Sequence, residues 1–200
     1  MKPLVAIIDY GMGNLRSVQK ALEKAGADAR ITDSPGLLSR AAGIVLPGVG
    51  AFGEAVLRLK SQHLWAPLNR VLASKRPFLG ICLGYQLLFD ESTEGGRHEG
   101  LGLLPGRVVR VQGTEHLPVI GWSRLKQTAR SPLWDGIADE SYFYFVHSYA
   151  PDSSESAIAC APHSPAAAAA RGNVMGTQFH PEKSGVDGLR IYRNFVAMSA

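Results

Sequence analysis

The sequence predicts an α/β fold with a mostly parallel central sheet, helices on both faces, and an antiparallel β-rich portion in its second half. Continuous apolar runs at 4–9 (LVAIID), 43–47 (GIVLP) and 77–82 (PFLGIC) read as strands buried on both faces. They alternate with segments of helical period, the pattern of a covered parallel sheet. Beyond residue 105 the segments become rich in β-branched and aromatic residues with short connections, which favours antiparallel pairing. With 200 residues and 46% hydrophobic content, the chain is predicted to form one domain over 1–200.

The elements follow in order. After the first strand, NLRSVQKALEKAG places Leu15, Val18, Leu22 and Ala25 at helical spacing and ends on Gly26 as a stop. ARIT (29–32) reads as a short strand, and GIVLP as the next. FGEAVLRLK and LWAPLNRVLASK read as helices, and PFLGIC as a strand feeding an amphipathic helix from Leu83. GRVVRV (106–111), VIGWSRL (119–125), SYFYFVHSYA (141–150) and AIACA (157–161) read as strands. The run AAAAAR (166–171) favours a helix by propensity, but the turn and strand signals of GNVMGTQF behind it require an extended hairpin partner. GVDGLRIYRNFVAMS closes the chain as an amphipathic helix with Leu189, Tyr192 and Val196 on its apolar side.

Composition narrows the function. Twenty-one basic and seventeen acidic residues give a net charge of +4, but no basic run marks a nucleic-acid arm or a membrane patch. Asp9 interrupts the first apolar run too early for a signal peptide or a span, so a soluble, cytoplasmic protein is expected. Cys82 and Cys160 have neither disulfide-framework nor zinc spacing. His63, His98, His116 and His163 lack metal-ligand spacing, and no metal or cofactor is expected.

Cys82 is the chemical candidate. In Gly80-Ile81-Cys82-Leu83-Gly84, small residues flank a thiol where a buried strand meets a helix. That is the pattern of a nucleophile elbow, in which backbones approach closely and the middle residue is exposed at the carboxyl edge of the sheet. A helix start there offers free amides and a positive dipole end. A buried structural cysteine is the alternative. His180 is the candidate base, because Pro181 favours extended geometry before it and places Glu182 on the same side, where it can orient the ring. The glycine-rich turn LPGVGAFG (46–53) can offer backbone amides at the same edge. It lacks the Lys-Ser/Thr of a P-loop, and DYGMGNLR holds Arg16 where a dinucleotide fingerprint needs its third glycine.

Together, GICLGYQ (80–86), QFHPE (178–182) and PGVG (47–50) resemble the class I (triad) glutamine amidotransferases over essentially the whole chain. Within that class, DYGMGNL, PGVGAFG, GLGLLPGRVVR, YFVHSY and HPEKSG are similar to the glutaminase subunits of imidazole glycerol phosphate synthase. The resemblance implies a Cys82, His180 and Glu182 triad that hydrolyses L-glutamine through a glutamyl thioester. It implies oxyanion donors at Val49 and Leu83, and a glutamine pocket formed by Gly48, Gly50, Gln86, Glu94, Ser148 and Tyr149. It also implies a heterodimer with a separate (β/α)8-barrel cyclase subunit of imidazole glycerol phosphate synthase in histidine biosynthesis, which receives the ammonia. Asn14, Trp122, His147 and Lys183 are the implied partner-facing residues. As ordinary structure, Asn14 reads as a helix N-cap and Trp122 as a core residue.

Val119 and Ser123 stand where such subunits usually carry His and Asn. If the Val49 peptide must rotate to aim its N–H at the oxyanion, its β-branched side chain restricts the turn, and the partner can select the active form. The rival readings are a glutaminase serving another acceptor, a partnerless cysteine hydrolase, and an interaction subunit without turnover.

Overall fold

A computed structural model describes residues 1–114 and 116–200. Its centre is an eight-stranded sheet. Five strands are parallel: β1 (Leu4–Ile8), β2 (Asp28–Thr32), β3 (Gly43–Gly48), β4 (Phe78–Cys82) and β14 (Val174–Thr177), in the order β2-β1-β3-β4-β14. Beyond β14 the sheet continues antiparallel through β13 (Ser164–Arg171), β12 (Ala157–Ala161) and β9 (Lys126–Gln127). The alanine run is therefore the extended hairpin arm that its neighbours require. Alanine suits it because Ala166 to Ala169 are all fully buried and the sheet is covered on both sides there.

Side-chain alternation along β1 shows how the sheet builds two cores. Val5 and Ile7 pack with Val18 and Leu22 of α1 (Leu15–Ala25) and with Ile191 and Phe195 of α6 (Gly185–Met198). Ala6 and Ile8 point the other way, into a cluster with Leu38 of α2 (Pro35–Arg40), Phe52 and Leu59 of α3 (Phe52–Ser61) and Leu68 of α4 (Trp65–Leu72). Helices thus cover both faces. Gly26 ends α1 in the left-handed conformation, its N–H bonded back to the last turn. The short helix α2, with Ser34 before it and Pro35 at its first position, was not among the elements expected from periodicity; at six residues it is too short to show one.

Two further sheets cap the carboxyl edge. One pairs β8 (Val119–Arg124) with β10 (Tyr142–His147). The other orders β11 (Tyr149–Pro151), β7 (Leu104–Arg110), β5 (Phe89–Ser92) and β6 (His98–Glu99).

The structure corrects two elements. The expected amphipathic helix from Leu83 is a single turn, α5 (Leu83–Gln86), and the chain enters β5 three residues later. Residues 83–89 are all buried, which leaves no polar face for a surface helix. The expected strand 141–150 is broken at Ser148, whose carbonyl accepts from Val111 N at 2.9 Å, so β10 and β11 join different sheets.

The parallel order brings the carboxyl ends of β1, β3, β4 and β14 to one edge. Gly84 closes the turn after β4, and a Cβ there would strike the Leu46 carbonyl of β3. Gly84→Ala should therefore cost about 2 kcal/mol or more in urea unfolding, through forced backbone displacement. Gly36→Ala, at a helical position with only an ordinary contact at 3.7 Å, should change stability by less than about 1 kcal/mol.

Candidate active site

Cys82 is the last residue of β4 and has φ 52° and ψ −108°. This conformation is strained for a residue with a Cβ, and the close approach of Gly80 to the backbone of Gly84 and Tyr85 maintains it. The kink turns the thiol off the strand line, while the N–H of Leu83 is left as the first free amide of α5. Cys82 is 6% exposed and lines a cleft of about 240 Å³ at the sheet edge. That volume lies below the roughly 300–1,000 Å³ of drug-sized pockets and matches a ligand of amino-acid size. Cys160 lies half-buried in β12, outside this cleft.

His180 arrives from β14, the parallel neighbour of β4. It is 2% exposed and has extended geometry at φ −102°, ψ 98°. Its Nδ1 meets Glu182 Oε1 at 2.8 Å, so Glu182 fixes the ring orientation. The other carboxylate oxygen accepts from the Tyr192 hydroxyl at 3.4 Å. Among the described residues, His180 Nε2 is buried without a hydrogen bond of regular geometry, and it faces the Cys82 thiol. Burial disfavours the charged ring, but Cys82 and Glu182 on its two sides outweigh burial and raise its pKa well above 6.5. The site therefore favours a protonated His180 ring between the Cys82 sulfur and the Glu182 side chain.

Gln178 completes the arrangement. Its Nε2 donates to Cys82 Sγ at 3.7 Å and its Oε1 accepts from Gln86 Nε2 at 3.1 Å. It lies two residues before His180, and the alternation of an extended chain would have placed both on one side. Gln86 also donates to the Tyr149 carbonyl at 2.7 Å, which holds β11 against α5.

The cleft brings together most of the residues implied for glutamine. Gln86, Glu94, Ser148 and Tyr149 line it together with Val49, Gly50 and Leu83. Glu94 Oε2 accepts from Phe52 N at 2.8 Å at the start of α3, where the helix dipole favours a carboxylate. Gly48 is not at the wall; it is buried at the end of β3, in register with Cys82. Pro118, Val146 and His147 are wall residues that sequence reasoning did not assign to the pocket.

The family model described as glutamine amidotransferase class-I matches residues 6–198. The chain belongs to the class-I glutamine amidotransferases. An imidazole glycerol phosphate synthase subunit HisH from Desulfitobacterium hafniense is 49% identical over 196 residues, covering 96% of this amidotransferase and 93% of that protein. A subunit of the same name from Methanosarcina mazei is 48% identical, covering 97% of this chain and 98% of that one. Among solved structures, PurLQS from Thermotoga maritima superposes with a TM-score of 0.76 at 20% identity, covering 98% of this chain and 99% of that one. A crystal structure described as a glutamine amidotransferase superposes at 0.77 and 18%, covering 98% of each. These two likenesses concern the fold.

On the amidotransferase surface, Asn14 is exposed and caps α1, accepting from Ser17 N at 3.4 Å. Trp122 is not core: it is 54% exposed and stacks edge-on against Tyr144, with Lys183 Nζ over the same Tyr144 ring at 5.5 Å. Ile120 and Tyr142 are exposed beside it on the same two-stranded sheet. His147 departs from its expected place on a partner-facing rim. It is 6% exposed and lies in the cleft wall, with Nε2 paired to Ser164 Oγ at 3.0 Å, because the alternation of β10 turns 143, 145 and 147 inward. No helix among the described residues is long and apolar enough to cross a membrane.

His147 in the cleft wall and His180 beside Cys82 hold different charge states near neutral pH. Burial first, and then the neighbouring His180, lowers the His147 pKa from 6.5 to about 4, although a backbone hydrogen bond involving His163 opposes this. Since the unfolded chain protonates His147 more readily, this contribution to stability is complete above about pH 6.5 and is lost as pH falls toward about 4. The raised pKa of His180 acts with the opposite sign and only above its unfolded value, so the windows do not overlap. Urea unfolding at about pH 7 and about pH 4.5 should show wild type losing on the order of 2–3 kcal/mol more than His147→Gln. Equal losses in the two proteins would contradict the buried neutral ring.

Proposed function

We propose that the chain is the glutaminase subunit of imidazole glycerol phosphate synthase, and that the whole chain serves as one amidotransferase domain. The observation that carries the reading is the Cys82 elbow in the wall of an amino-acid-sized cleft, backed by the buried His180–Glu182 pair. Relatives named HisH, matched along nearly their full length, support the choice of synthase.

In this reading the Cys82 thiolate attacks the side-chain carbonyl carbon of L-glutamine, forming a C–S bond as the carbonyl electrons move to oxygen. The N–H groups of Leu83 and Val49 hold that oxyanion, and Gly48 and Gly50 shape the loop that presents Val49. His180 gives its Nε2 proton to the departing nitrogen as the tetrahedral species collapses, and ammonia leaves a glutamyl thioester. The now neutral ring takes a proton from water. The hydroxide equivalent adds to the thioester, and glutamate departs as the Cys82 thiolate returns. Glu182 keeps Nδ1 protonated throughout. Glu94 faces the α-amino group of the substrate, and the Ser148–Tyr149 backbone faces its carboxylate.

Ammonia is useful to a synthase only if it is transferred before it mixes with solvent. The partner is a (β/α)8-barrel cyclase subunit in the cytoplasm. Trp122, Ile120 and Tyr142 offer it an exposed apolar patch bordered by Lys183, and Asn14 lies at the same carboxyl edge of the parallel sheet.

Ammonia and glutamate release should rise sharply when the cyclase subunit and its nucleotide ligand are added, and Cys82→Ala should abolish it. Release indifferent to the cyclase would reassign the partner. Trp122→Ala should weaken the complex about tenfold or more in titration calorimetry, as removal of an interface aromatic does. Unchanged affinity would place the docking surface elsewhere.

A further inference from the structure

Tyr10 follows β1 at the carboxyl edge, is fully buried, and its hydroxyl has no hydrogen-bond partner among the described residues. Leaving such a group unpaired in the interior is destabilising, because its lost hydration is not replaced. Burial keeps the phenol protonated far past neutrality, with Cys82 adding to the effect and Arg58 opposing it, so Tyr10 is a standing donor without an acceptor.

Its location is informative. A Cβ on Gly48 would collide with the Tyr10 hydroxyl, so the phenol lies directly against the Gly48 backbone. Gly48 is the register partner of Cys82, and the next residue is the proposed oxyanion donor Val49. Val49 lies between two glycines, and Gly50 is already at φ 107°. The segment can thus rotate at its ends even though Val49 is β-branched. The N–H and C=O of one trans peptide point in opposite directions, so rotation that aims the Val49 N–H into the cleft carries the Gly48 carbonyl away from it.

Resting on the amidotransferase reading above, we propose that Tyr10 is a positioning residue for the oxyanion loop, donating its hydroxyl to the Gly48 carbonyl when the Gly48–Val49 peptide presents its N–H to the tetrahedral intermediate. The unpaired hydroxyl destabilises the resting loop, and its pairing favours the loop that holds the oxyanion. Tyr10 touches neither substrate nor nucleophile, and acts through the peptide.

Tyr10→Phe removes the hydroxyl and keeps the ring, so it separates this role from packing. In the complex with the cyclase subunit, kcat for glutamine hydrolysis should fall about tenfold while KM stays within about twofold, the signature of an interaction made only in the transition state. Inhibition by L-glutamate γ-semialdehyde, whose thiohemiacetal with Cys82 mimics the intermediate, should weaken by about the same factor. The melting temperature should hold or rise, because an unpaired buried hydroxyl has been removed. An unchanged kcat, or a fall in kcat with an equal loss of melting temperature, would overturn the proposal. Wild-type protein with no glutaminase activity in any mixture would overturn the amidotransferase reading, and this inference with it.

Discussion

Cys82 holds φ 52°, ψ −108°, a backbone conformation that costs a residue with a Cβ about 1–3 kcal/mol and persists only where its surroundings enforce it. Those surroundings are tight. Gly80 has the backbone of Gly84 and Tyr85 against it, and Gly84 lies on the Leu46 carbonyl of the adjoining strand. Tyr85, buried beneath the elbow, fills the space that a side chain on Gly176 would need, and donates its hydroxyl to the Ala166 carbonyl at 2.9 Å. The nucleophile's geometry is thus set from three strands at once. Each of those strands also supplies the site: β3 leads into Val49, β14 leads into Gln178 and His180, and β13 places Ser164 against His147.

The electrostatics depend on the same crowding. His147 and His180 are both buried, yet only His180 has carboxylate and thiol partners to offset desolvation. Burial without such partners keeps His147 neutral. A site with two buried histidines thereby has one cation, located between the groups that need it, and the pKa values diverge in the manner that separates acid–base roles. Glu94 shows the same economy, since its carboxylate is held by the α3 amide of Phe52 and remains at the cleft wall.

The half of the fold built from local periodicity was legible in the sequence. Strands β1, β3 and β4, and helices α1 and α6, each carry an apolar pattern within their own span, and the glycines around Cys82 mark the elbow without any long-range information. The hairpin of the alanine run was legible too, from its neighbours rather than its propensity. What escaped reading depends on distant contacts. The turn after Cys82 stops being helical because residues 83–89 are buried on every side, which a single sequence records only as hydrophobicity. The break at Ser148 follows from pairing to Val111 and β7, far away in the chain. His147 was expected on the surface because its motif suggested a rim, whereas the alternation of β10 turns it inward. Gln178 was readable from its two-residue spacing to His180.

The central claim is that this elbow, with His180 behind it, makes Cys82 a nucleophile toward glutamine. Peptide mapping by mass spectrometry after incubation with a diazoketone analogue of glutamine tests it most directly. The account predicts one equivalent of covalent label at Cys82, none at Cys160, loss of labelling in His180→Asn, and protection by added L-glutamine. Label spread over both cysteines, or labelling of Cys82 that survives the His180 substitution unchanged, would contradict it.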